Sequence, residues 1–254
     1  MGSFLNVVVY RLPEGMSLLF PPSRCPYCLT RLKPYENVPV LGWLMVRGRC
    51  NHCHNSISIR YPLVEVATGI LFLLVFWRYG YTWLTVGYWA FFSWLLALAL
   101  IDFDTMLLPH PLTASGLLVG LGFQIAIGTL SDFNLVTGLK YLTDGLIGAV
   151  LGIWIFELIG LAGAIALKQD AMGGGDGKMT AMIGAWLGWK LMLLSSFLSC
   201  ALGAVIGGGA IALGILGRRQ PLRFGPFLAL AAAITTLYGE TILQAYLSWM
   251  GLVG

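Results

Sequence analysis

The sequence predicts an all-α polytopic membrane protein: about seven transmembrane helices, an N-terminal helix stump, and a small zinc-ribbon-like module on the cytosolic side. Three observations carry this prediction. Of 254 residues, 58% are hydrophobic and 10% charged, whereas soluble domains carry about a quarter charged residues. The apolar residues gather in runs close to the ~20 residues that a helix needs to cross a bilayer. Two Cys-x-x-Cys pairs stand together in the one strongly basic stretch, a pattern that staples a small module with little core of its own.

The elements follow in order. The apolar stretch 4–10 is too short to span, so residues 1–12 are expected to be the end of a first membrane helix. No basic n-region precedes it, which argues against a cleavable signal peptide. Asn6 breaks the myristoylation pattern that would start at Gly2. Residues 13–61 form the cysteine module, and residues 62–254 the membrane domain. Within that domain the apolar runs are 62–77, 82–101, 111–128, 145–167, 179–194, 196–216 and 225–249.

Charge gives the orientation. Arg11, Arg24, Arg31, Lys33, Arg47, Arg49 and Arg60 are opposed only by Glu14 and Glu36, so this segment is cytosolic by the positive-inside rule. A nucleic-acid footprint is the rival reading of such a block, but membrane topology already accounts for it and no nucleic-acid partner is expected. Threading the spans from this start returns the chain to the cytosolic side at Asp102, at Lys168, and again at Arg218, Arg219 and Arg223. Asp102 and Asp176 therefore share one face.

Carboxylates at membrane depth are costly and mark sites or pathways. Asp102 lies in LIDFDTMLLP and Asp176 in AMGGGDGKM. Two facing carboxylates can hydrolyse an amide: one, ionised, takes a proton from water while the other, protonated, donates to the carbonyl oxygen. Like charges a few ångströms apart cannot both ionise easily, so such a pair titrates as a unit. Gly173 and Gly175 would let a substrate backbone approach, because they lack Cβ. Lys178 would stabilise negative charge or anchor the helix at the headgroups. Taken alone, these residues read more readily as solvated ends of spans, and glycine is frequent in membrane helices.

The sequence also resembles the type IV prepilin peptidases, bacterial membrane aspartic proteases with a Gly-x-Gly-Asp-x-Lys motif. GSFLNVVVYRLP, SRCPYC, NVPVLGWLMVRGRCNHC, ISIRYPLVE, IDFDTMLLP, GGGDGK and FGPFLA carry the resemblance, in order and over nearly the whole chain. Presenilin-like proteases share Gly-x-Gly-Asp, but not the ordered set. The resemblance implies that Asp102, rather than Asp104, is the first catalytic aspartate and Asp176 the second, making 62–254 an aspartic peptidase domain. Residues two apart on a helix point in different directions, so only one of Asp102 and Asp104 should face Asp176. It further implies cleavage of the basic leader of type IV prepilins or pseudopilins after a glycine, at the cytosolic face of the inner membrane. Family members begin with a whole membrane helix, so a truncated start is expected here. His110 stands where many members carry an acidic residue.

Cys25, Cys28, Cys50 and Cys53 form two knuckles with 21 residues between them. Four thiolates suit a tetrahedral zinc site, and a reducing cytosol disfavours the alternative of disulfides. Members with this tetrad also N-methylate the new N-terminus, which implies S-adenosylmethionine as cofactor, although no glycine-rich nucleotide fingerprint is present. His52 and His54 flank a site that four cysteines already fill. Cys200 reads as a packing residue, and Gly203 with Gly207, Gly208 and Gly209 as helix contacts. Glu65, Glu157, Lys190 and Glu240 lie in or near spans. Glu157 and Glu240 leave open a proton- or cation-coupled transporter, which would need its charges near the midplane. An inactive zinc-module scaffold would instead leave Asp102 and Asp176 apart.

Overall fold

The structure, a computed structural model, describes residues 1–167, 173–215, 217 and 222–251. Lys168, Arg218 and Arg219, which the threading used at two turns, lie outside the described residues. The chain is helical, with two isolated β-bridges and no strand among the described residues. It divides into two compact units, residues 1–81 and 82–254.

The first unit holds α1 (Gly2–Arg11), a 3₁₀ turn (Pro34–Asn37), the short α2 (Leu41–Met45) and α3 (Arg60–Tyr79). At ten residues α1 rises about 15 Å, half of a bilayer core. It packs against the start of α3: Asn6 Nδ2 donates to the Tyr61 carbonyl (3.2 Å), and a Cβ on Gly2 would lie 2.8 Å from the Glu65 Cα.

The second unit holds α4 (Trp83–Thr105), α5 (His110–Asp132), α6 (Leu135–Leu167), α7 (Gly174–Ala212) and α8 (Gly225–Trp249). With α3 these make six helices, among the described residues, long and apolar enough to cross a membrane, rather than the seven expected. The difference lies in α7. The sequence places a boundary at residue 195, but helix continues through Ser195 and Ser196, where Ser196 Oγ donates to Met192 Sδ and Ser199 Oγ to the Ser196 carbonyl. The break sits seven residues earlier, at Gly188 (φ 75°, ψ 172°).

That break reverses the chain. A straight helix would separate Gly177 from Gly203 by about 39 Å. Yet Gly177 packs on Phe156, Phe156 meets Phe224 at 5.8 Å between ring centroids, and Phe224 lies against Gly203. The first arm, 174–187, rises about 21 Å and falls short of the ~30 Å hydrocarbon core. A turn inside the apolar layer leaves carbonyls that lipid cannot satisfy, and the buried Gln124 Nε2 donates to one of them, Trp186 O, at 2.9 Å. The φ/ψ of Gly188 is a region open essentially to glycine alone, so Gly188→Ala should destabilise the fold by about 1–3 kcal/mol. Thermal denaturation in detergent would measure the loss.

The core of this unit forms around the first arm. Trp186 stacks on Phe91 (5.0 Å) and lies tilted against Phe123 (5.0 Å), while its Nε1 donates to Gly116 O at 2.8 Å. Gly148 of α6 lies against the backbone of Gly184, a small-residue crossing that brings two helices close without a hydrophobic driving force. The expected contacts at Gly203 and Gly207 are made to Phe224 and Leu222, whereas Gly208 and Gly209 face open space.

Candidate active site and cysteine centre

Three helix ends build the site. α4 stops at Thr105 because Met106 turns left-handed (φ 55°), its N–H bonding back to Asp102 O at 2.9 Å, and Leu108 then precedes Pro109. A residue before proline is disfavoured in helix, so the last turn of α4, with Asp102 in it, is fixed in place. α7 starts from an extended Gly173, placing Asp176 in the first turn, where Thr180 Oγ1 donates to the Asp176 carbonyl at 2.9 Å. α8 starts at Gly225-Pro226; proline suits the first helical turn because its missing N–H would have no partner there anyway.

Asp102 and Asp176 are the two buried carboxylates among the described residues, 6% and 8% exposed. Asp104, two residues along, is exposed. The Gly225 N–H donates to Asp102 Oδ2 at 2.9 Å, so the positive end of α8 points at this carboxylate. A Cβ on Gly225 would lie 2.8 Å from that oxygen and 2.9 Å from Asp102 Cβ and Cγ. The Arg223 guanidinium lies over the ring of Phe103, the residue after Asp102, at 5.0 Å.

The other residues singled out from the sequence fall differently. Gly173 and Gly174 face open space. At Gly175 the close approach is to Leu108 of the same chain, where a Cβ would lie 2.9 Å from the Leu108 Cβ, so packing already uses that room. Lys178 is exposed, as are Glu157, Lys190 and Glu240. Sequence reasoning missed Gly225 as a partner of Asp102. A Gly-Pro pair opening an apolar run announces a helix start, but nothing local says which carboxylate that start will face.

The cysteines form a second centre, within the first unit. Their four sulfurs lie within 4.8 Å of one another. Cys25 and Cys53 Sγ are 3.7 Å apart, and Cys28 and Cys50 Sγ 3.9 Å. A disulfide needs about 2.05 Å, whereas a tetrahedral ion with bonds of about 2.3 Å sets edges of about 3.8 Å. The two knuckles repeat one geometry: bridges Arg24↔Arg31 and Arg49↔Ser56 close them, Leu29 N bonds Cys25 O (3.0 Å) as His54 N bonds Cys50 O (2.9 Å), and Leu29 and His54 both take φ 57°. The Thr30 hydroxyl and N–H hold the Cys28 thiol down at about 6, and the N–H groups of Cys53 and His52 lower Cys50. Despite the Asn55 N–H, burial and the neighbouring thiols push Cys53 up to about 11. The tetrad could hold a metal ion, and His52 and His54 are not part of it.

Comparison with known proteins points one way. Residues 1–79 match the Bacterial Peptidase A24 N-terminal domain, and residues 89–208 the Type IV leader peptidase family. A prepilin leader peptidase/N-methyltransferase of Stutzerimonas stutzeri is 36% identical over 98% of this chain and 90% of its own length. Proteins of the same description from Aeromonas hydrophila (38% identical; 97% and 90% covered) and Neisseria gonorrhoeae (33%; 98% and 91%) are similar throughout. No solved structure matches the chain.

Proposed function

Because this chain belongs to the type IV leader peptidase family, we propose that it is a prepilin leader peptidase of the bacterial inner membrane. It cuts the basic leader of type IV prepilins or pseudopilins after a glycine, at the cytosolic face. The observation that supports this reading is a pair of buried carboxylates on segments that pack together: Asp102, in the last turn of α4, accepts the first N–H of α8, and Asp176 opens α7, where Gly175 lies against Leu108. The site lies at helix ends, and a substrate anchored by its own apolar helix would present its leader junction there by lateral approach.

The Gly225 hydrogen bond and the α8 dipole support Asp102 as the carboxylate that stays ionised. Asp102 takes a proton from water while Asp176 gives its proton to the scissile carbonyl oxygen, and the C–O bond forms. In the collapse, the proton held on Asp102 passes to the leaving nitrogen, the C–N bond breaks, and Asp176 recovers its proton from the tetrahedral hydroxyl. Charge and protons balance without a metal in the step. The transporter reading finds no support in these relatives, all of which are peptidases by name.

We infer zinc as the ion of the cysteine tetrad and assign it to folding the module, since four thiolates leave no open position for chemistry. Purified protein should contain one zinc per chain. Replacing Cys25 and Cys28 together by Ser should release it and unfold the module, because apparent binding energies at such sites reach about 10–16 kcal/mol. Metal analysis and limited proteolysis of residues 13–61 would read both effects.

The relatives' names also support N-methylation of the new N-terminus. S-adenosylmethionine would supply an electrophilic methyl group to that amine. Among the described residues there is no strand-to-helix glycine turn of the kind that cradles nucleotides, and no residue of this chain is assigned to the donor. The test of the whole reading is to mix detergent-solubilised protein with a prepilin and sequence the product by mass spectrometry. A single new N-terminus after the glycine is expected, methylated when the donor is added. An uncut prepilin, with protein shown to be folded and zinc-loaded, would count against it.

A further inference from the structure

We propose that α2 is an interfacial membrane anchor, seating Leu41, Leu44 and Met45 at the boundary between headgroups and acyl chains. These positions, i, i+3 and i+4, share one helix face, and all are exposed, at 56%, 55% and 70%. The opposite face is committed to protein. Gly42 is buried against the backbone of Glu36, and Trp43 lies over Gly48 while its Nε1 donates to Ile57 O at 3.1 Å.

The depth of α2 is set by a hydrogen bond to a spanning helix. Glu65 Oε2 accepts the N–H of Val40, the residue that caps α2, at 2.8 Å. Glu65 lies five residues into α3, about 7–8 Å along its axis from Arg60. So α2 is tied to the opening turns of a helix long and apolar enough to cross the bilayer. Val40 itself holds φ 61° and ψ −52°, which a β-branched residue keeps only when its surroundings fix it. Exposed Arg47 and Arg49 follow directly, placed for anionic headgroups beside an apolar face. Three side chains on a five-residue helix offer far less than the roughly 800 Å² per partner of a stable protein interface. A lipid surface asks for no such area.

The test uses full-length, zinc-loaded protein in phosphatidylethanolamine–phosphatidylglycerol vesicles, with Cys200→Ser to remove the unligated thiol. A spin label is attached at Leu44→Cys or, separately, Met45→Cys, and its relaxation by oxygen is compared with that by a water-soluble nickel chelate. Glu14→Cys gives the aqueous reference and Leu73→Cys, exposed on α3, the lipid reference. The oxygen-to-nickel ratio at both test sites should be several-fold above that at Glu14 and approach that at Leu73. A ratio equal to the aqueous reference would overturn the proposal. So would an immobilised label reached by neither agent, which would mean that a second copy or another protein covers the face. The readout does not depend on peptidase activity, so it stands or falls apart from the function proposed above.

Discussion

Asp102→Asn and Asp176→Asn should each lower kcat/KM for a prepilin by ~10²–10⁴-fold or more, the range lost when a general acid or base is removed. Asp104→Asn should leave it within about twofold, since that side chain is exposed while its neighbour two residues back is buried. The contrast matters more than either loss. Asparagine keeps the shape of aspartate and can neither accept water's proton nor pass one on. The two inactive variants should also be about as inactive as the double variant, because residues that act as a unit do not contribute additively. Retained cleavage in either single variant, or a loss in Asp104→Asn equal to the others, would remove the dyad from this position.

Gly225→Ala should reduce kcat by about 10²-fold with KM for the prepilin little changed, and Gly225→Val by more. An added methyl would lie 2.8–2.9 Å from the Asp102 carboxyl, closer than carbon and oxygen tolerate, so the aspartate or the start of α8 must move. A displacement near 1 Å at a reacting group costs about 10²-fold in rate. In the proposed lateral approach the substrate's own apolar helix supplies most of the binding, so KM should hold. Gly208→Ala, at a glycine facing open space in α7, supplies the control and should keep full kcat. A general loss of folding would instead lower the yield of active enzyme and the denaturation temperature together. Equal kcat in Gly225→Ala and the parent would show that the α8 N-terminus does not position Asp102.

The legible part of this protein was written in strong, local signals. Length and apolarity located α3, α4, α5 and α8 within a few residues, and the end but not the start of α6, which begins ten residues before the apolar run, because a helix in lipid must satisfy its own backbone and therefore be long and uninterrupted. The paired Cys-x-x-Cys motifs announced their own convergence, since four soft ligands at such spacing have few uses apart. The carboxylates were visible because charge is rare in this composition. The reversal in α7 was misread: Ser195-Ser196 looks like a break in an apolar run, while Gly188 sits among residues that all look helical. Serine can spend its hydroxyl inside the helix, as Ser196 and Ser199 do. The backbone at Gly188 has no such escape and depends on Gln124, more than sixty residues away.

By itself, then, the sequence determined the membrane class, the cysteine cluster and which acids were candidates, all set by composition and short-range spacing. Tertiary structure alone decided that α7 folds back at Gly188, that Gly175 gives its space to Leu108, and that the start of α8 delivers an N–H to Asp102. The physical reason is distance along the chain. Asp102 and Gly225 are 123 residues apart, and no local preference encodes a bond whose two ends meet only when the helices between them have packed.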